Sequence, residues 1–123
     1  MANTDNTENQ LENHVRSIAD DISNGIELNL DEHEHILEEN GQEAGDHMYA
    51  SDYLMDALDI QYIVSSSREY LGARVLVSFG GPNIWINTLT NTVEGYWWTD
   101  KAFASFDDNI GIDDFLAEMW ECQ

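Results

Sequence analysis

The forty residues 60–99 carry no net charge, and both flanks are acidic. Residues 1–59 hold 16 acids and one Arg, residues 60–99 hold Glu69 and Glu94 against Arg68 and Arg74, and residues 100–123 hold seven acids against Lys101. Hydrophobic periodicity changes at the same boundaries. In the centre, residues 60–66 are β-branched and aromatic, and Ala73, Val75, Val77 and Phe79 alternate with Arg74, Leu76 and Ser78. Alternation resumes over residues 83–88 after the Gly80-Gly81-Pro82 break, and again over 93–98 after a tight turn at Thr90-Asn91. A period of two with short connections predicts four antiparallel strands, with residues 68–72 as the first hairpin loop. Leu76, Trp85 and Trp98 are expected to point away from the main apolar face.

The flanks read as helices. Leu11, Val15, Ile18 and Ile22 follow the 3.6 period, and Gly25 is a natural stop. Residues 31–40 form a shorter helix around Ile36 and Leu37, ended by Gly41. Ser51 is read as the N-cap of a helix over 52–59 with Leu54, Ala57 and Leu58 buried. Ile112, Phe115, Leu116, Met119 and Trp120 make the last helix amphipathic. The expectation is one α+β domain: N-terminal helices (8–59), a four-stranded antiparallel sheet (60–99), and an acidic segment (100–123) whose amphipathic helix packs on the sheet. Residues 1–7 are expected to be flexible and 41–47 loose.

A net charge of −21 on 123 residues excludes several classes of function. Nucleic-acid binders need basic patches to neutralise phosphates, and anionic membrane surfaces attract basic segments. Direct contact with nucleic acid or membrane is therefore not expected. Disorder is opposed by a hydrophobic content of 42%, including four Trp. The lone Cys122, the polar N-terminus and the lack of a long apolar run lead to an expected cytoplasmic location.

On the outer faces of the three shorter helices the acids recur at i, i+3 and i+4. The rows are Asp31, Glu34 and Glu38; Asp52, Asp56 and Asp59; and Asp114, Glu118 and Glu121. Like charges at this spacing cost about 0.2–0.5 kcal/mol per pair. Helix dipoles favour Asp31, Asp52, Asp113 and Asp114 in first turns but not Glu38, Glu39, Asp59, Glu118 and Glu121 near the negative ends. A solvated face accounts for any single row, but solubility alone does not require so few cations. Rows of helix-borne carboxylates repeat charge about every 5.4 Å and accept the hydrogen bonds that Lys and Arg give to phosphates. In size and charge balance the chain resembles the DNA-mimic inhibitors of phages and mobile elements, the anti-restriction and acidic anti-CRISPR proteins. The segment 71–98 also looks like small phage-type proteins. The resemblance lies in charge character over 1–59 and 100–123 and transfers no residue roles. It implies a non-enzymatic inhibitor, without cofactor, in the host cell cytoplasm. Such an inhibitor would occupy the basic DNA-binding cleft of a CRISPR effector or restriction enzyme. The alternative is an immunity-type or antitoxin-type inhibitor of a single basic toxin or nuclease.

Other constellations carry less. His33 and His35 point about 200° apart on a helix, so they cannot share a metal ion there, and no zincin pattern occurs. Residues 107–118 place Gly111 at position 5 of a calcium loop, where the register needs position 6. Gly80-Gly81-Pro82 lacks the spacing of a phosphate loop, and Cys122 has no neighbouring cation to activate it. No metal or catalytic residue is assigned. Trp97 and Trp98 are consecutive on a strand and so face opposite sides of the sheet. An exposed Trp98 would serve as an aromatic anchor for a partner or for a homodimer.

Overall fold

Leu11, Val15, Ala19 and Ile22 form the buried stripe of a long helix, α1 (Ala2–Asn24). Gly25 ends it in the left-handed region (φ 78°), its N–H bonding to the Asp21 carbonyl at 2.9 Å. The structure is a computed structural model that describes the backbone of residues 2–123 and the side chains of residues 8–123. The flexible stretch expected over 1–7 thus falls outside the residues described with side chains.

The sheet has five strands, β1 (Asp59–Val64), β2 (Tyr70–Ser78), β3 (Asn83–Asn87), β4 (Thr92–Trp97) and β5 (Asp100–Ser105). They pair antiparallel in chain order, a simple meander. The sequence reading expected four strands and assigned residues 100–105 to the acidic tail. Instead this segment pairs with β4 from Thr92↔Ser105 to Trp97↔Asp100. Its charges obscured a period-two pattern in which small residues, Ala102 and Ala104, face the core. Small residues are needed there because α1 lies across β4 and β5. A Cβ at Gly95 would come within 2.6 Å of Val15 Cγ1 and 2.8 Å of Leu11 Cδ1.

The inner face is built from cross-strand rows such as Ile60–Val75–Ile86–Val93–Ala104. Ala73, Val75, Ile84, Ile86 and Val93 are all fully buried. Full burial of one such Val or Ile contributes about 1.5–3 kcal/mol relative to exposure. A register shift between Leu76 and Ser78 ends the strict alternation. Val77 keeps the inward side of Ala73 and Val75, but after the shift Ser78 pairs with buried Ile84, and Phe79, expected on the apolar face, is turned out and 71% exposed.

The same core takes in the last helix, α4 (Ile112–Glu121), through Ile112 and Leu116. Trp120 packs on Tyr62 with ring centroids 5.4 Å apart. The Tyr70 hydroxyl donates to Asp113 Oδ1 at 2.7 Å, and burial, with that carboxylate, raises the phenol's pKa. Helices thus cover one sheet face, and among the described residues none packs on the other.

Residues 26–48 form a lobe around α2 (Leu30–Asn40), with a small core of Leu28, Ile36, Leu37 and Met48 separate from the main one. Residues 41–47, expected to be loose, are tied to the start of the lobe. Leu28 N–H donates to Asp46 O (2.7 Å), Gly45 N–H to Leu28 O (2.9 Å) and Met48 N–H to Ile26 O (2.8 Å). Pairing with a sequence-distant segment supplies the order that local propensity did not. Among the described residues, no helix is long and apolar enough to cross a membrane.

Candidate partner-binding surface

The acid row best realised is that of α4. Asp108, in the preceding turn, accepts the backbone N–H groups of Gly111 (2.9 Å), Ile112 (2.8 Å) and Asp113 (2.9 Å). One carboxylate thus satisfies three of the orphan donors at the helix start. With Ile112 and Leu116 anchored in the core, Asp114, Glu118 and Glu121 lie on the exposed side at i, i+4 and i+7. Asp108 therefore belongs to a capping turn.

On α2 the row is interrupted. Asn29 caps the helix through its side chain, which accepts from Glu32 N–H, and His33 has a non-helical backbone (φ −123°, ψ 21°). His33 Nδ1 accepts the Asn29 N–H at 3.0 Å, so this imidazole is engaged locally and held apart from His35. Asp31 sits in the turn before the kink, while Glu34 and Glu38 share one face beyond it, all three exposed. The whole 26–48 lobe carries eight acids and no Lys or Arg.

The second expected row does not exist as a helix face. The helix there, α3 (Ala50–Tyr53), is one turn long and begins from Tyr49 rather than Ser51. Leu58 N–H bonds to the Leu76 carbonyl at 2.8 Å and Asp59 pairs with Leu76, so sheet pairing takes the chain out of helix before a second turn forms. Asp52 accepts a hydrogen bond from Asn40 Nδ2 at 2.8 Å, joining the α2 lobe to α3. Asp56 lines a cavity of about 210 Å³ beside His14, Ile18 and Tyr53. Asp59 opens β1 at the sheet edge. Three different environments replace one row. Because α3 packs against α4, Asp52 still lies on an element next to the α4 acids.

Trp98 occupies the turn between β4 and β5, 89% exposed and with a left-handed backbone (φ 57°). A bulky side chain in that region is strained by roughly 1–2 kcal/mol. Trp97, by contrast, packs against the main core. The expectation that the two indoles part company holds, though by a turn rather than by strand alternation.

Sequence reasoning missed the polar centre of the open sheet face. Glu94 accepts from Arg74 (2.9 Å), Asn87 (2.8 Å) and the Tyr96 hydroxyl (3.1 Å), and the Arg74 guanidinium lies 4.2 Å from the Trp85 ring centroid. Burial pushes the Glu94 carboxyl up, but the three hydrogen bonds and the Arg74 charge outweigh it and hold it below the usual carboxylate range. The available clue was that Glu94 and Arg74 are two of only four charges in the neutral segment. Among the described residues Arg74–Glu94 is also the one ion pair. On α1, burial and the neighbouring Asp20 raise the pKa of Asp21, and burial with the Asp21 charge pushes the Tyr53 phenol up to about 12.

No protein-family model, curated protein or solved structure matches the chain. Chemically, the surface offers exposed carboxylates able to accept hydrogen bonds from cations, and aromatic residues exposed at two hairpin tips, Phe79 and Trp98.

Proposed function

We propose that this protein is a non-enzymatic inhibitor whose helix-borne carboxylates occupy the basic DNA-binding cleft of a host defence complex, a CRISPR effector or a restriction enzyme. The observation that carries this reading is the lack of internal compensation for the acids. Asp31, Glu34 and Glu38 around α2 and Asp114, Glu118 and Glu121 on α4 are exposed, and none takes part in an ion pair among the described residues. Rigid, unpaired carboxylates cost stability by repulsion, and a basic partner recovers that cost on binding. Asp52 contributes beside the α4 row, while Asp56 and Asp59 add scattered charge elsewhere on the surface rather than a row of their own. The protein acts from the host cytoplasm without cofactor or direct contact with nucleic acid.

The test is DNA binding and cleavage by purified CRISPR effector and restriction enzyme in the presence of this protein. Inhibition is expected to be competitive with DNA and to weaken about tenfold or more between ~50 mM and ~500 mM salt. It is also expected to vanish when Asp114, Glu118 and Glu121 are all replaced by Lys. Unimpaired DNA binding by both enzyme classes, or full inhibition by the triple variant, overturns the reading. The exposed Trp98 favours a second one, in which a single basic toxin or nuclease is bound with that indole as the central anchor. Trp98→Ala would then cost more affinity than the α4 reversal.

A further inference from the structure

Cross-strand row Asp59–Leu76–Trp85–Glu94–Phe103 runs over all five strands on the face that no helix covers. Leu76 and Trp85 are half-buried there with no layer above them, and Phe103 is 57% exposed. At one end of the same sheet stand two hairpin tips, each with an exposed aromatic residue, Phe79 at 71% and Trp98 at 89%. This face also differs in charge from the surrounding molecule. Its centre is neutralised by the Arg74–Glu94 pair, and its remaining charges sit at opposite edges, Asp59 on β1 and Lys101 on β5.

We propose that the open sheet face is a homodimer interface, two copies of this chain packing sheet to sheet about a twofold axis parallel to β3. The helix-bearing surfaces are anionic and repel a second molecule of charge −21, so the neutral sheet is the side on which a copy can approach. A twofold interface must be self-complementary. With the axis along β3, β1 of one copy lies over β5 of the other, which brings Asp59 to the edge that carries Lys101, twice over. Trp85, on the central strand, meets its own copy, and the Phe79 tip of one protomer meets the Trp98 tip of the other. An axis across the strands would instead set Asp59 against Asp59 and Lys101 against Lys101. Five strands about 4.8 Å apart and some 17 Å long give a footprint of roughly 400 Å² per copy. That is about half of what a standard stable interface buries per partner, and the four aromatic tips extend it. The footprint places the dimer among weak, transient associations. Salt screens the repulsion between the acidic flanks and tightens it, the opposite of the salt response of a basic partner. The inference does not depend on what the acid rows bind.

The test is sedimentation equilibrium of the full chain at low and high salt. The mass is expected to rise from 14.0 kDa toward twice that value with concentration, with association at least ~3-fold tighter at ~500 mM than at ~50 mM salt. Trp85→Glu, and independently the surface change Phe103→Ser, should leave a monomer with an unchanged circular dichroism spectrum. Lys101→Asp and Asp59→Lys should each weaken association about tenfold, and the double swap should recover it to within about threefold. Reversal of Asp114, Glu118 and Glu121 should leave the dimer intact. A chain that stays at 14.0 kDa throughout overturns the proposal. So does a dimer indifferent to Phe103→Ser, or a double swap that fails to recover association.

Discussion

Glu94 gathers three donors on one carboxylate, from Arg74, Asn87 and Tyr96, at the centre of an uncovered sheet. Its side chain is 12% exposed, and Arg74, at 30%, stacks on Trp85. Charged hydrogen bonds of this kind are worth about 1–2 kcal/mol after solvent screening. Because the folded pKa lies below the ordinary value of 4.5, that contribution is complete above this pH and is lost as pH falls through the folded value. Glu94→Gln is expected to lower stability by about 1–2 kcal/mol at neutral pH. Urea denaturation of the two proteins should give curves that converge in acid, as pH falls below 4.5 and through the folded value.

Among the elements, α4 shows how local chemistry and packing combine. Asp108 caps it, Ile112 and Leu116 anchor it, and the acid row is thereby displayed on its outer side. Asp108→Ala releases three backbone N–H groups and is expected to cost about 1–2 kcal/mol. Hydrogen exchange should locate the loss in residues 111–116, with β3 amides unaffected. β5 illustrates the opposite case, a charged segment recruited into the sheet because Ala102 and Ala104 fit beneath α1. The α3 segment failed as a helix for a related reason. Leu58 and Asp59 gain ladder hydrogen bonds to β2 that a second helical turn would forfeit.

Over the whole molecule the charge of −21 acts against the compact state, since only one ion pair offsets it among the described residues. Asp21 shows the sign locally. Its pKa is raised by burial and by Asp20, so its contribution to stability is present below 3.8 and is lost as pH rises through the folded value. Added salt screens such repulsion over about 10 Å at 0.1 M. The melting temperature is therefore expected to rise by several degrees from ~10 mM to ~500 mM NaCl, as measured by calorimetry. A flat profile would mean that the carboxylates are too dispersed to repel one another.

The α+β class, the meander, the α1 stripe and the α4 stripe were legible in the sequence because each rests on local periodicity. Leu11, Val15 and Ile22 recur at the helical repeat, and Ala73, Val75, Ile84 and Ile86 at the strand repeat, whatever lies elsewhere in the chain. Net charge and its division into flanks and centre were equally plain, since they require only counting. Tertiary structure alone decided what depends on partners distant in sequence. It placed residues 100–105 in the sheet, ended the helix before Asp59, and drew Glu94, Arg74, Asn87 and Tyr96 together from three strands. It also left one sheet face without a helical layer among the described residues, because α1 and α4 both pack on the other side and α2 builds a separate small core in its own lobe.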